Sequence, residues 1–255
     1  MGRRLFDVCA AAAALLVLSP VMLLIALAIR VSSPGPAIFR ARRLGLHAKP
    51  FSMFKFRTMV QHEDDSGGAI TGSADPRVYP LGQLLRRTKL DELPQLFNVL
   101  RGDMALVGPR PEDPRLVAAW YRPEHGATLE VRPGLASPGS LYNFTHGEVL
   151  LDGPDPEAAY VHRVLPVKLA LDVVYVLQAS FLSDLKIIIR TLYVIAAATL
   201  GKRTFAEPPE LAEARRLGIL PGPEPAASSD AIEVQHPSRT QPAGGQAVDQ
   251  LASAG

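Results

Sequence analysis

From Leu5 to Ile29 the chain carries a single charge, Asp7. As one helix this run is roughly 37 Å long at 1.5 Å per residue, enough to cross a hydrocarbon core. It is too long for a secretory signal, and no small-x-small cleavage site follows it. Two features complicate a simple span. Ser19-Pro20 lies near its middle, where Pro20 removes the bond to the Leu16 carbonyl. Both flanks are basic, with Arg3 and Arg4 before the run and Arg30, Arg40, Arg42 and Arg43 after it. The positive-inside rule draws both ends to the cytoplasm. A helix–break–helix that dips into one leaflet and returns, with the break at Ser19 and Pro20, satisfies both features. A proline-kinked span is the alternative.

Charge follows the same division. Residues 1–60 hold nine basic residues against one acid, while the whole chain has a net charge of only +2. A basic stretch beside an apolar one suits anionic lipid head groups. No nucleic-acid motif accompanies it, so no nucleic-acid partner is expected. The lone cysteine, Cys9, excludes an intrachain disulfide or a cysteine zinc site.

The predicted organisation is a membrane segment over 1–33, a catalytic domain over 34–204, and a short helix with a disordered tail over 205–255. The last ~35 residues are poor in large apolar side chains. Ala37–Phe39 and Phe51–Phe56 read as short strands, the second placing Lys55 and Arg57 on one face. Residues 61–78 read as a polar loop. Helical patterns cover 114–122, 164–178 and 184–199, with Ser183-Asp184 as a cap for the last, an interfacial or core helix. A final short helix is expected over 208–218. The fold class is α+β, mostly helical, with short strands and interfacial amphipathic helices.

The chemistry centres on residues 86–100. Leu90, Leu93, Leu96, Phe97 and Leu100 recur at helical spacing. Pro94 is tolerated in a first turn, so the helix is expected to start near Asp91. An N-cap Asp at the positive end of the helix dipole stays ionised. The pair Asp91-Glu92 then stands at a helix start behind Arg86, Arg87 and Lys89. An ordinary cap with surface charges explains such a pair in isolation. More basic groups flank stiff backbone: Lys55, Arg86, Arg110 between Pro109 and Pro111, and Arg132 before Pro133. Together they suit a polyanion such as a diphosphate. There is no phosphate loop, dinucleotide glycine fingerprint, serine-nucleophile elbow or Asp-x-Asp, and the six histidines show no ligand-pair spacing.

These residues, in order, resemble the small monotopic phosphoglycosyl transferases, bacterial sugar transferases that act on polyprenyl phosphate. The resemblance runs from about Arg3 to Leu200. It includes Arg4-Leu5-Phe6-Asp7, Ser19-Pro20, Lys55-Phe56-Arg57-Thr58-Met59, Leu90 to Leu96 with Asn98-Val99, and Gly102-Asp103-Met104. Val107 to Pro111, Val131 to Gly134, Asp172 to Tyr175 and Asp184 to Ile187 complete it. Residues 135–143 depart from the family's Gly-Trp-Ala-Gln pattern, so no role carries over to them.

The resemblance implies transfer of a sugar phosphate from a UDP-sugar to undecaprenyl phosphate, with Mg2+, opening exopolysaccharide, capsule, O-antigen or glycoprotein glycan assembly. Asp91 would be the nucleophile. Glu92 would help hold the metal, with proton handling second. Lys55, Arg57, Arg86, Arg110 and Arg132 would neutralise phosphate charge. The protein would lie in the bacterial inner membrane, in contact with cytoplasmic-leaflet lipid, its catalytic domain on the cytoplasmic face. A homodimer, the sugar and the pathway stay open. A silent scaffold or a phosphohydrolase are the alternative classes.

Overall fold

A computed structural model describes residues 2–60, 70, 75–151 and 153–220. The expected tail from 221 and most of the 61–78 loop lie outside the described residues. Helix α1, Gly2–Ser32, is a single helix of 31 residues. The expected break does not interrupt it. Ser19 Oγ donates to the Leu16 carbonyl at 2.9 Å, the acceptor that Pro20 leaves without a backbone partner. Its length and composition are those of a helix able to cross a membrane.

One stripe of α1, Ala11, Leu15, Met22 and Ile29, is buried in the main core with Met53, Phe56, Leu85, Leu96, Val99 and Met104. These spacings of four and seven mark one helical face, and they lie on both sides of Pro20. Leu16, Val17, Leu23, Leu24 and Leu27 stay bare. Both ends of α1 are pinned to the same body. Arg4 donates to the carbonyls of Val99, at 2.7 Å, and Leu100, at 3.1 Å. Arg3 binds both Asp184 and Tyr175, and Asp7 accepts from the Leu106 amide. At the other end, Arg57 donates to the carbonyls of Ser33, at 2.7 Å, and Pro34.

Strands β1, Ile38–Leu44, and β2, Pro50–Phe56, pair antiparallel, with Ile38 opposite Phe56 and Leu44 opposite Pro50. Helix α2, Pro80–Arg87, leads into a 3₁₀ turn, Leu90–Glu92, and then helix α3, Gln95–Arg101. Helix α3 docks on β2 through Asn98, which accepts from the Phe54 amide at 2.9 Å and donates to the Ser52 carbonyl at 2.8 Å.

Strands β3, Ala105–Val107, and β4, Gly134–Ala136, form a short parallel pair on either side of α4, Pro114–Trp120. A Cβ on Gly134 would come within 2.0 Å of the Gly108 amide nitrogen, so this approach requires glycine. It holds the Pro109–Pro111 turn beside β4. Helices α5, Pro138–Tyr142, α6, Pro156–Ala159, and α7, Leu165–Gln178, follow. Helix α8, Phe181–Thr199, comes next, and α9, Pro209–Arg216, packs against α7. The cap of α8 is Ser180, not the expected Ser183-Asp184, and Asp184 is free to hold Arg3. Phe181, Leu182, Leu185, Ile189, Leu192 and Tyr193 form an exposed apolar face on α8. The mostly helical α+β expectation agrees with this architecture.

Candidate active site

The turn before α3 decides the site. Lys89 adopts φ 56°, ψ 16°, a left-handed conformation uncommon for a residue with a side chain. It reverses the chain after α2 and sets Asp91 and Glu92 in the 3₁₀ turn. Pro94, not Asp91, occupies the cap position of α3. The helix-dipole expectation for Asp91 is therefore corrected. Its carboxyl makes no cap bond, is 6% exposed, and has Oδ1 without a hydrogen-bond partner. Burial pushes its pKa up, with the charge of Glu92 adding, while Lys55, Lys89 and Arg86 oppose the shift.

Glu92 is in the opposite state. Arg110 grips it with both guanidinium nitrogens, NH1 to Oε2 at 2.7 Å and NH2 to Oε1 at 2.6 Å. Lys55 Nζ reaches Oε1 at 3.4 Å. Burial works against the charged form, but Arg110 and then Lys55 and Lys89 overcome it and hold this carboxyl far below its ordinary range. So placed, Glu92 is held in its charged form and is a weak proton acceptor.

Lys55, Arg86, Lys89, Glu92 and Arg110 line a cavity of about 840 Å3, and Asp91, buried and not itself among the lining residues, adjoins Glu92 in the chain. Arg86 donates from Nε to Thr58 Oγ1 at 2.9 Å. Lys89 lies 3.2 Å from Glu148 and over the Phe144 ring. The cavity continues along the apolar side chains of Ala10 and Ala14 on α1 and Ile188, Leu192 and Ile195 on α8.

Two of the expected phosphate ligands stand elsewhere. Arg57 lies one residue past the end of β2, so strand alternation no longer sets its direction. It is 4% exposed and spends its guanidinium on the Ser33 and Pro34 carbonyls. Arg132 is exposed and donates from Nε to the Gly102 carbonyl at 3.1 Å. Ser19 and Pro20 belong to α1 and take no part in the cavity.

A further layer supports the cavity, from Asp172 of the Asp172–Tyr175 motif and from residues with no role expected from sequence. Asp172 on α7 accepts from the Gly139 amide, at 2.9 Å, and the Arg110 amide, at 3.2 Å. One buried carboxylate thus ties the Arg110 turn to the atypical 135–143 segment. Burial raises its pKa, and Lys168, one helical turn away, opposes that. Lys168 bonds Glu112 and also Tyr160, which donates to Glu112 at 2.8 Å. Burial pulls the Lys168 ammonium down to about 7. Ser137 caps α5 by accepting from the Ser140 amide, and both serines line the cavity. The Asp172–Tyr175 motif and the helical spacing of Lys168 and Asp172 were the sequence signals for this layer.

A long apolar helix, a buried Asp91, a half-buried Glu92 and several cations thus come together around one cavity. The chain belongs to the bacterial sugar transferase family, whose sequence model matches residues 1–198. It is 40% identical over 193 residues to the UDP-glucose:undecaprenyl-phosphate glucose-1-phosphate transferase of Caulobacter vibrioides, covering 75% of this chain and 68% of that one. It is 37% identical over 206 residues to the exopolysaccharide production protein PSS of Rhizobium leguminosarum bv. phaseoli, covering 78% and 96%. It is 34% identical over 195 residues to an Aeromonas hydrophila UDP-N-acetylgalactosamine-undecaprenyl-phosphate N-acetylgalactosaminephosphotransferase, covering 76% and 43%. The chain spans well under half of several relatives it matches.

Proposed function

We propose that this enzyme moves a sugar phosphate from a UDP-sugar to undecaprenyl phosphate, the transfer that the names of its relatives describe for them, and that UMP is the leaving product. The observation that carries this reading is the contrast within the dyad. Asp91 is desolvated, with an oxygen that no donor occupies, whereas Glu92 is locked between Arg110 and Lys55. A partly stripped carboxylate is a competent nucleophile, and its locked neighbour fixes the cations around it.

An Asp91 oxygen attacks the phosphorus that bears the sugar. The bond from that phosphorus to the bridging oxygen breaks, and UMP leaves with the electron pair. The aspartyl phosphosugar is then attacked by an oxygen of the lipid phosphate, which displaces the carboxylate. With a second pKa near ~6, that phosphate is largely deprotonated at neutral pH and needs no strong base. Lys55, Arg86, Lys89 and Arg110 orient the diphosphate and offset its charge.

Among the described residues no three acidic, histidine or cysteine side chains gather as a metal cage. The donor set fits a magnesium ion that takes one or two carboxylates and fills its sphere with water and phosphate oxygens. Asp91 Oδ1, buried and without a hydrogen-bond partner, would be one donor, and Glu92 would share its remaining lone pairs. Such an ion would neutralise charge on the diphosphate.

A placement of the unbroken α1 along the cytoplasmic leaflet of the inner membrane, with both of its ends on the cytoplasmic side, belongs to the same proposal. Pinned ends at Arg4 and Ser33, and burial of Met22 and Ile29 beyond Pro20, support it. Labelling of cysteines placed near residues 2 and 34 should report both on the cytoplasmic side, and opposite sides would refute it.

The chemical test incubates the protein with Mg2+ and a panel of UDP-sugars, with and without undecaprenyl phosphate. A phosphosugar adduct on Asp91 without lipid, and lipid-dependent turnover, are expected. Free phosphosugar released without lipid would mean a hydrolase, no UMP from any sugar a silent scaffold, and substantial turnover by Asp91→Asn a different nucleophile.

A further inference from the structure

The cavity wall includes residues past 198, where the family's sequence model stops: Lys202, Arg203 and Phe205 all line it. We propose that residues 200–216 form a strap whose Lys202 and Arg203 receive the phosphate of an incoming substrate at the cavity rim. The proposal rests on the phosphosugar transfer above.

The chain is turned onto the cavity deliberately. Helix α8 ends at Thr199, and Gly201, at φ +101°, reverses the backbone so that the Lys202 amide donates to the Ala197 carbonyl at 2.9 Å. This is the glycine-stopped helix end that redirects a chain. The strap is then anchored at its far end. Arg190 on α8 holds Glu210 with a bidentate fork at 2.7 and 2.9 Å, and Gln178 on α7 donates to Glu213 at 2.9 Å. Leu211 and Ala214 are buried, Ala214 against Ala170 and Val174. Residues 202–205 are thereby suspended between two fixed points.

The two cations are both exposed and both part of the cavity lining, which places them at its rim. Lys202 is held in place without being neutralised. Its Nζ donates to Tyr193 Oη at 3.1 Å and lies over the Tyr193 and Phe205 rings. An ammonium has three donors, so two remain for a ligand. Among the described residues neither Lys202 nor Arg203 has an ion-pair partner, whereas nearby Glu207 faces Arg215. Two adjacent uncompensated cations at the entrance to a cavity attract a phosphate and concentrate it there. The phosphate can be that of the nucleotide sugar or that of the lipid, and the neighbouring Leu192 and Ile195 give the lipid an apolar path.

The test compares the full-length protein with Lys202→Ala/Arg203→Ala, with the conservative Lys202→Arg/Arg203→Lys, and with Glu210→Gln, which weakens the anchor and leaves the rim charges intact. KM and kcat are measured separately for donor and acceptor, and the affinities for UDP and for a short-chain polyprenyl phosphate are measured by calorimetry. The alanine pair should raise KM about tenfold for one substrate, with kcat within about twofold and a shallower loss of kcat/KM with salt. The substrate affected identifies the source of the phosphate. The conservative pair should retain wild-type KM, and Glu210→Gln should shift the same KM by less. Affinities unchanged for both ligands would overturn the strap, including when the only loss is in binding to anionic vesicles. A wild-type protein that binds both ligands but releases no UMP would instead refute the transfer reaction, and the calorimetry would still decide the role of the rim.

Discussion

Glu92 is shared by two cations, and that sharing makes an unequal prediction for its partners. The Arg110 fork sits at 2.6 and 2.7 Å and Lys55 at 3.4 Å. A charge pair with centres ~4 Å apart is worth about 4 kcal/mol at an effective dielectric of ~20. Breaking a buried pair by removing one member costs about 3–5 kcal/mol. Arg110→Met leaves Glu92 with Lys55, so its cost should fall at the low end, about 3 kcal/mol. Glu92→Gln strands two cations and should cost about 5 kcal/mol on the same scale. At about 2–4 °C per kcal/mol for a chain of this size, Tm should fall by about 6–12 °C and about 10–20 °C. The double variant strands only Lys55 and should cost no more than Glu92→Gln, about 5 kcal/mol, so the cycle should return a coupling of at least about 3 kcal/mol. Thermal unfolding of the detergent-solubilised full chain, followed by circular dichroism, supplies all four values. Additivity within ~0.5 kcal/mol would refute the reasoning. So would an Arg110→Met protein that unfolds at or below the Tm of Glu92→Gln.

Asp91→Asn should abolish UMP release and raise Tm at pH 7.5. A carboxyl whose folded-state pKa is raised favours the folded protein only while protonated, so its ionisation opposes folding as pH rises through that pKa. The gain in Tm should therefore shrink as pH falls into the carboxylate range, and a gain independent of pH would contradict it. Arg57→Ala should cost about 2–4 kcal/mol in thermal unfolding, because it strips a buried anchor of α1, while donor KM in the surviving protein stays near wild type. Lys55→Ala should do the reverse and raise donor KM by more than about tenfold. Gly139→Ala would press a Cβ to 2.5 Å from the Lys168 carbonyl and 2.8 Å from Asp172 Oδ1. It should cost about 1–3 kcal/mol and depress kcat by displacing the Arg110 turn, read by unfolding and by UMP release.

Local pattern made the elements legible and left their partners hidden. Strand β2 and helices α4, α7, α8 and α9 stand close to where periodicity and turn residues place them, while β1 runs on to Leu44, past its expected end at Phe39. At α3 the same reasoning found most of the inner face, with Leu96 buried and Leu90, Leu93 and Leu100 packed against the core, but it erred at three positions. Phe97 is 48% exposed, while Gln95 and Asn98 are fully buried. Asn98 goes inward because β2 offers it the Phe54 amide and the Ser52 carbonyl, groups more than forty residues away in sequence. Asp91 failed as a cap for a similar reason. The left-handed Lys89 starts a separate 3₁₀ turn that ends at Glu92, before Pro94 caps α3, and nothing in the composition of Lys-Leu-Asp-Glu announces that conformation. Of the five basic residues expected at phosphate, Lys55, Arg86 and Arg110 meet at the cavity. Arg57 and Arg132 were drawn off by backbone carbonyls, acceptors that every residue carries and that leave no mark in a sequence.

The double pinning of α1 fixes a dimension as well as a position. Between Arg4 and Ser33 the helix is a measured part whose two fittings, at α3 and at the end of β2, belong to one rigid frame. One inserted residue would turn everything beyond it by about 100° and aim Met22 and Ile29 away from their sockets. A full extra turn would restore the angle but overshoot by about 5.4 Å. A segment that by composition accepts nearly any apolar residue therefore tolerates almost no change in length. Substitutions along its bare face should pass unnoticed where a single insertion disables the protein.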